Sequence, residues 1–258
     1  MANPESFSDH LYRLKVDGTL RDPLRIFITD KEYAKYYIAS VVGSQHVIET
    51  YGIVRTRSEV DRLRLDRLPC IVKPTHLSGH VAVHVESNQP VDRERLKQWL
   101  DLDYYKSSRE QNYKGLRPKV IVEEFFSEDG RTVPDDYKIF CFQGVPGLIQ
   151  VDSNRFSGHT RSLYDTGWRR LPMTLRYPGT PFTHSKPAEL ERMLDLASRL
   201  SKPFSFVRVD MYVAEGRVKV GELTNCPGSA VEKIEPASGE ITLGRLFTRK
   251  AGHTTKPG

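Results

Sequence analysis

The stretch FSFVRVDMYVAEGRVKVGELTNCPGSA, residues 204–230, decides how the rest of the chain is read. From Phe206 to Val213 apolar and polar residues alternate, the period of a half-buried strand. Val207, Val209, Met211 and Val213 share one face; Arg208 and Asp210 share the other. Glu215-Gly216-Arg217 forms a short turn containing glycine, and the strand returns as Val218 to Glu222. A loop of those three residues sets Asp210 opposite Glu222 and Arg208 opposite Thr224. Facing carboxylates repel across strands, so a cation between them is one explanation. Mg²⁺ with nucleotide phosphates suits the pair, because it binds through one or two carboxylates and fills its shell with water and phosphate oxygens. A hairpin with a solvated, charged face is the other explanation.

At 258 residues the chain makes one large domain or two small ones, and 38% apolar residues suffice for a core. Its net charge of +6 suits anionic partners but is too small to argue for nucleic acid. No RNP-like motif, zinc-finger spacing or dense basic run points there either. Cys70, Cys141 and Cys226 are far apart and form no CxxC, which reads as reduced thiols of a cytoplasmic protein. The start, MANPESFSDH, has no apolar signal-peptide core, and no run approaches the roughly 20 apolar residues of a spanning helix.

Residues 1–25 predict a loose helix or arm. DKEYAKYYIAS predicts a helix capped by Asp30, with Tyr33, Tyr36, Tyr37 and Val41 on one face. Thr56–Leu65 predicts a second short helix, capped by Ser58. Cys70–Pro74 and Val81–Val85 are short apolar runs around the small polar loop Thr75–His80. Strand, loop, strand with Lys73 at the strand end is the shape of a phosphate-covering loop, and equally that of an ordinary hairpin. Asp92–Leu100 reads as an amphipathic helix burying Leu96, Trp99 and Leu100, and residues 103–118 as a loop or irregular helix. Lys119–Phe126 and Asp136–Phe142 read as strands, the latter with Asp136 and Lys138 on its polar face; Val145–Asp152 returns after Gly144. Residues 153–185 carry Arg155, His159, Arg161, Arg169, Arg170 and Arg176 and read as a long substrate-facing connection or a solvated loop. Lys186–Leu200 is a helix, with Leu190, Met193, Leu194, Ala197 and Leu200 as its stripe and Pro187 in its first turn. A short helix over residues 242–247 and a frayed tail over residues 252–258 close the chain.

In order, then, the chain holds Lys73 with THLSGH, a strand ending in VEEF, a DYK strand, an arginine-rich segment with RSLYD, RVD, and GELTNCPG. This succession resembles the ATP-grasp superfamily, and within it the TupA-like branch associated with cell-surface polysaccharide and teichuronopeptide biosynthesis, over roughly residues 26–247. The resemblance implies an α+β fold of two α/β lobes, with mainly antiparallel sheets gripping the nucleotide. It divides the chain into a shortened pre-grasp region (1–68), a first lobe with the ATP lysine and phosphate loop (69–124), and a second lobe with the metal and substrate site (125–258).

It also implies roles. Lys73 reaches the α/β-phosphates, and His76, Ser78 and Gly79 belong to the loop closing over them. Glu123, Glu124, Phe125 and Phe126 form the hinge beside the adenine. Asp136 holds the ribose, and Lys138 faces the same cleft. Arg161 meets the γ-phosphate or acyl-phosphate, and Arg208 stabilises charge on the transferring phosphoryl. Asp210 and Glu222 ligate two Mg²⁺ ions, with Thr224 or Asn225 as a further ligand. Threonine at 224 departs from the asparagine usual in the wider superfamily, and Leu77 from the glycine usual in the branch's phosphate loop.

The implied activity is ATP-dependent carboxylate–amine ligation through an acyl-phosphate, with a small-molecule or glycan carboxylate and an amine as substrates. Such chemistry needs positioning and charge stabilisation rather than a nucleophilic side chain, and none stands out. His76, His80 and His159 are the candidates for a general base. Two rivals remain: a phosphotransferase acting on a sugar or glycan hydroxyl, and a non-catalytic module binding anionic glycan through the arginines of residues 155–176.

Overall fold

The computed structural model describes residues 5–154 and 158–248; the expectations for Arg155 and for residues 252–258 lie outside them. The chain folds as two compact units built from non-adjacent stretches. The first comprises Met1–Asp17, Asp135–Met211 and Thr224–Gly258, and the second Gly18–Pro134 and Tyr212–Leu223.

In the second unit, helix α2 (Pro23–Thr29) leads into α3 (Lys31–Val42), which Asp30 caps by accepting the Glu32 N–H at 2.9 Å. The buried face of α3 is Ala34, Ile38 and Val42, not the tyrosines: Tyr33 and Tyr36 are exposed. The helix is rotated from the predicted stripe because the small and branched residues fit the core. Strand β1 (Thr50–Val54), helix α4 (Arg57–Asp61), strands β2 (Cys70–Pro74) and β3 (Ala82–His84), helices α5 (Arg93–Asp101) and α6 (Tyr104–Ser108), and strand β4 (Val120–Glu124) follow. Helix α4 is shorter than expected and is capped by Thr56 in a capping box with Glu59, so Ser58 lies inside it. The sheet runs β1-β4-β2-β3, antiparallel throughout. Val72, Val120, Val122, Leu96, Trp99 and Leu77 pack its core, while Leu100 is only partly buried.

In the first unit, helix α1 (Phe7–Val16) precedes strands β5 (Asp136–Phe142), β6 (Val145–Ser153), β7 (Thr160–Tyr164) and β8 (Thr174–Leu175). The segment read as one long connection thus contains two strands. Helix α7 (Leu190–Ser201) begins after Pro187 and buries Leu196 where Leu194 was expected, because Leu196 completes the stripe with Met193 and Leu200. Strand β9 (Phe206–Ala214) belongs to this unit as far as Met211, its hairpin partner β10 (Arg217–Thr224) lies in the second unit up to Leu223, and β11 (Ile234–Glu235) and α8 (Ser238–Gly244) follow in the first. The five-stranded sheet runs β10-β9-β5-β6-β7. Val207, Val209 and Met211 are fully buried, as the alternation predicts.

The hairpin loop is Glu215-Gly216, two residues rather than three, both with positive φ (51° and 65°), the backbone of a turn that matches strand twist. In β10 the buried residues are Val218, Val220 and then Leu223, so the alternation slips by one near Glu222.

Candidate functional site

Two clusters of buried charge stand out, one in each unit. In the second unit Glu123, 2% exposed, accepts ion pairs from Lys73 at 2.6 Å and Lys35 at 2.9 Å. Register explains it: Lys73 pairs with Ile121 and Ile71 with Glu123, so Lys73 and Glu123 are diagonal neighbours within reach of a long side chain. Burial pushes the Glu123 carboxyl up, but the two lysines outweigh it and hold it below its usual range. Burial lowers Lys35, helped by the neighbouring Lys73 charge and opposed by Glu123. Lys31 donates to the Leu77 carbonyl at 2.7 Å and lies 3.5 Å from Glu222. Behind it Lys119 is buried between Asp30 (2.9 Å) and Glu32 (2.5 Å).

The rest of the expected phosphate loop and hinge is placed as follows. Leu77 is buried in the core, anchoring the loop, while Gly79 is exposed with φ +76° and Ser78 is half-buried. His76 is buried with both ring nitrogens engaged: Lys119 N–H donates to Nδ1 (3.4 Å), so Nε2 carries the proton and donates to the Trp99 carbonyl (3.1 Å). Burial pushes its pKa down. His80 bonds the Ser78 carbonyl. The Glu124 N–H donates to Glu49 O, and Phe125 and Phe126 are buried.

In the first unit the registers of β7-β6-β5-β9 lay charges in rows. Arg161 pairs with Asp152, and Asp152 with Asp136; Gln150 pairs with Lys138, and Lys138 with Asp210. Facing carboxylates do occur in this fold, at Asp136 and Asp152. Lys138 sits among three acids: it bonds Asp136, lies 3.0 Å from Asp210 and 4.0 Å from Asp152. Arg208 grips Asp210 at both oxygens (2.7 Å each) and donates to the Thr224 hydroxyl at 3.2 Å. Burial raises the Asp210 carboxyl, but Arg208 and Lys138 more than offset this and lower it. Asp152, likewise raised by burial, is brought down to about 2 by Arg161 and Lys138.

Arg161 is buried with every guanidinium nitrogen engaged: Nε and Nη2 on Asp152, Nη1 on the Leu175 carbonyl and on Glu232. Arg170 donates to the carbonyls of Phe182 and Thr180, and Arg169 pairs with Asp165. Arg169 and Arg170 pin their own segment, and Arg161 ties it to β6 and to Glu232. His159 stacks on Tyr177 with ring centroids 3.9 Å apart. Asn225 is buried beside Thr224.

Sequence reading missed Lys31, Lys35, Asp152 and Glu232. Lys31 and Lys35 stand one helical turn apart, a spacing that places both on one face and was readable. Asp152 alternates with Gln150 as Asp136 does with Lys138, and was readable as well. Glu232 carries no local signal.

A family model described as TupA-like ATPgrasp matches residues 10–248. No curated protein matches the chain. Among solved structures it is similar to the D-alanine–D-alanine ligase from Bacillus anthracis, with 16% identity, 86% of this chain and 66% of that chain covered, and TM-score 0.50. Further similarities are to that organism's ligase complexed with ATP (18%, 78% and 55%, 0.41) and to the ATP-grasp ligase PsnB complexed with minimal precursor, Mg and ADP (14%, 85% and 58%, 0.45). The chain spans 55–66% of the length of these proteins. Among the described residues no helix is long and apolar enough to cross a membrane. The family match over residues 10–248, on antiparallel sheets and helices of the same fold as the first of these ligases, means that the chain belongs to the TupA-like ATP-grasp family.

Proposed function

We propose that this protein is an ATP-dependent ligase that joins a carboxylate to an amine through an acyl-phosphate. The observation that carries the reading is the pair of buried ionic clusters, on Glu123 and on Asp210, in a chain of this family. Ionised groups are kept out of water only where close pairing or function holds them. In this reading Lys73, with Lys35 beside it, meets the nucleotide phosphates, and Ser78 and Gly79 cover them. Glu124 to Phe126 border the base, and Asp136 and Lys138 the ribose side. Arg208 steadies the transferring phosphoryl, and Arg161 keeps the segment that meets the acyl-phosphate in place. The lobe boundaries at 68/69 and 124/125 belong to the same proposal, as do a cytoplasmic setting and a role in cell-surface polysaccharide assembly.

Among the described residues no group of three or more His, Cys, Asp or Glu can hold a metal ion by itself. Asp210, Thr224 and Asn225 in the first unit, and Glu222 in the second, each offer oxygen donors, the kind that suits Mg²⁺ arriving with phosphates that supply the rest of its shell. When bound, the ion neutralises charge on the β- and γ-phosphates. Arg208 and Lys138 favour the ionised carboxylate of Asp210.

The test is product mass spectrometry on purified protein with ATP, Mg²⁺ and a pool of amino acids and uronic acids. ADP release that requires both a carboxylate and an amine, with a hydroxamate formed when hydroxylamine is the amine, is the expected result. Phosphate left on a hydroxyl acceptor makes it a phosphotransferase. No ATP consumption, with glycan binding indifferent to Asp210→Ala and Glu222→Ala, makes it a binding module.

A further inference from the structure

Directly after β10 the chain makes a turn of unusual handedness. Gly228, Ser229 and Ala230 have φ of 56°, 55° and 64°, three consecutive left-handed residues of which two carry a Cβ. Non-glycine residues rarely adopt this conformation, and runs of them persist only where surroundings over-determine them. Here the surroundings are specific. Ser229 N–H donates to the Cys226 carbonyl and Val231 N–H to that of Gly228, both at 3.1 Å. Lys15, near the end of α1, donates to Ser229 twice, to its carbonyl at 3.1 Å and its hydroxyl at 2.7 Å.

Helix α1 is itself held fast. Ser8 donates from its N–H and its hydroxyl to Glu240, at 3.0 and 2.9 Å. Phe7 is buried against Phe140, Phe206 and Phe247. The ammonium of Lys15 is therefore presented from a rigid support.

The turn connects two parts of the site. Upstream lie Thr224, bonded to Arg208, and the buried Asn225. Downstream the Glu232 side chain folds back over Gly228, where an added Cβ would lie 2.1 Å from its Cγ. From there its carboxylate meets Arg161 at 3.2 Å and Arg176 at 3.1 Å.

We propose that Lys15 is a positioning residue of the first unit: it locks the left-handed turn at Gly228–Ala230, and the turn sets Asn225 on one side and Glu232 with its two arginines on the other. The consequence for turnover rests on the ligase reading above. Lys15 touches neither reacting atoms nor nucleotide in this scheme, so it acts on geometry, and reaches nucleotide affinity only through Asn225.

The experiment compares full-length wild type with Lys15→Met, Lys15→Arg and Gly228→Ala. Hydrogen exchange reads the amides of residues 229–231. Calorimetry reads binding of Mg²⁺ with the non-hydrolysable analogue AMPPNP. Turnover is ADP release with ATP, Mg²⁺, the carboxylate pool and hydroxylamine. In Lys15→Met the amides lose protection and turnover falls about tenfold or more, while melting temperature holds and any loss of analogue affinity is smaller than the loss of turnover; Gly228→Ala, whose Cβ would meet Glu232 Cγ at 2.1 Å, loses the same protection and turnover with a lower melting temperature. Lys15→Arg, which keeps a donor, restores most of both. Unchanged exchange and turnover in Lys15→Met overturns the proposal. So does a fall in that variant's turnover matched by equal losses of analogue affinity and melting temperature. Should wild type show no turnover at all, the ligase reading falls, and the positioning role stands or falls on the exchange data alone.

Discussion

The two charge clusters solve opposite problems. Around Glu123 two lysines share one acid, and the side chains of Lys35 and Lys73 retain some exposure, 14% and 15%. Around Lys138 the acids Asp136, Asp152 and Asp210 are balanced by Lys138, Arg208 and Arg161, and five of the six are 5% exposed or less. In the proposed reading the first cluster is the one that receives the nucleotide phosphates. The second balances its acids within the chain. Partial access suits binding; balance without access suits rigidity and tuned acidity.

Four measurements break or sharpen this contrast. The largest effect is expected from Lys138→Met, which leaves Asp136 and Asp210 buried without their shared ammonium. Urea unfolding should show a loss of about 3–5 kcal/mol, partly recovered in the double variant with Asp136→Asn; a loss under about 1 kcal/mol would mean that water reaches the cluster. Next, Lys73→Met should weaken ATP about 10- to 100-fold by calorimetry, the value of a charge-assisted bond, with little change in stability. Equal affinity in the two proteins would take Lys73 out of the nucleotide site.

The third concerns acid. Asp152 is held at about 2, below its ordinary 3.8. A depressed carboxyl adds stability that is complete above its unfolded value and is lost as pH falls through the folded one. The acid limb between about pH 4 and 2 should therefore carry about 2 kcal/mol from this group, and Asp152→Asn should flatten that limb; an unaltered limb would refute the assignment. The smallest effect is expected from Glu123→Gln. Lys35 and Lys73 can turn toward water, so unfolding should show a loss of about 1–2 kcal/mol. A loss as large as that of Lys138→Met would erase the distinction between the clusters.

Much of this was legible before any coordinates. The period-2 runs give β9, β5 and β2, and the polar face of β5 already sets Asp136 beside Lys138. What pattern could not supply was partnership. Arg161 reads as a free cation in an arginine-rich loop, yet it lies in β7 facing Asp152. His76 reads as a loop residue, yet Trp99 and Lys119, distant in sequence, take both its nitrogens.

By itself the sequence determined which residues could be strands, which faces they bury and that acids and bases would share those faces, because alternation is a property of the local backbone. Only the tertiary structure decided which charge neutralises which. That depends on register, and a loop of two residues instead of three, or one slip near Glu222, moves every cross-strand neighbour by a residue. It depends too on contacts such as that of Lys15 with Ser229, 214 residues away, which no local pattern encodes.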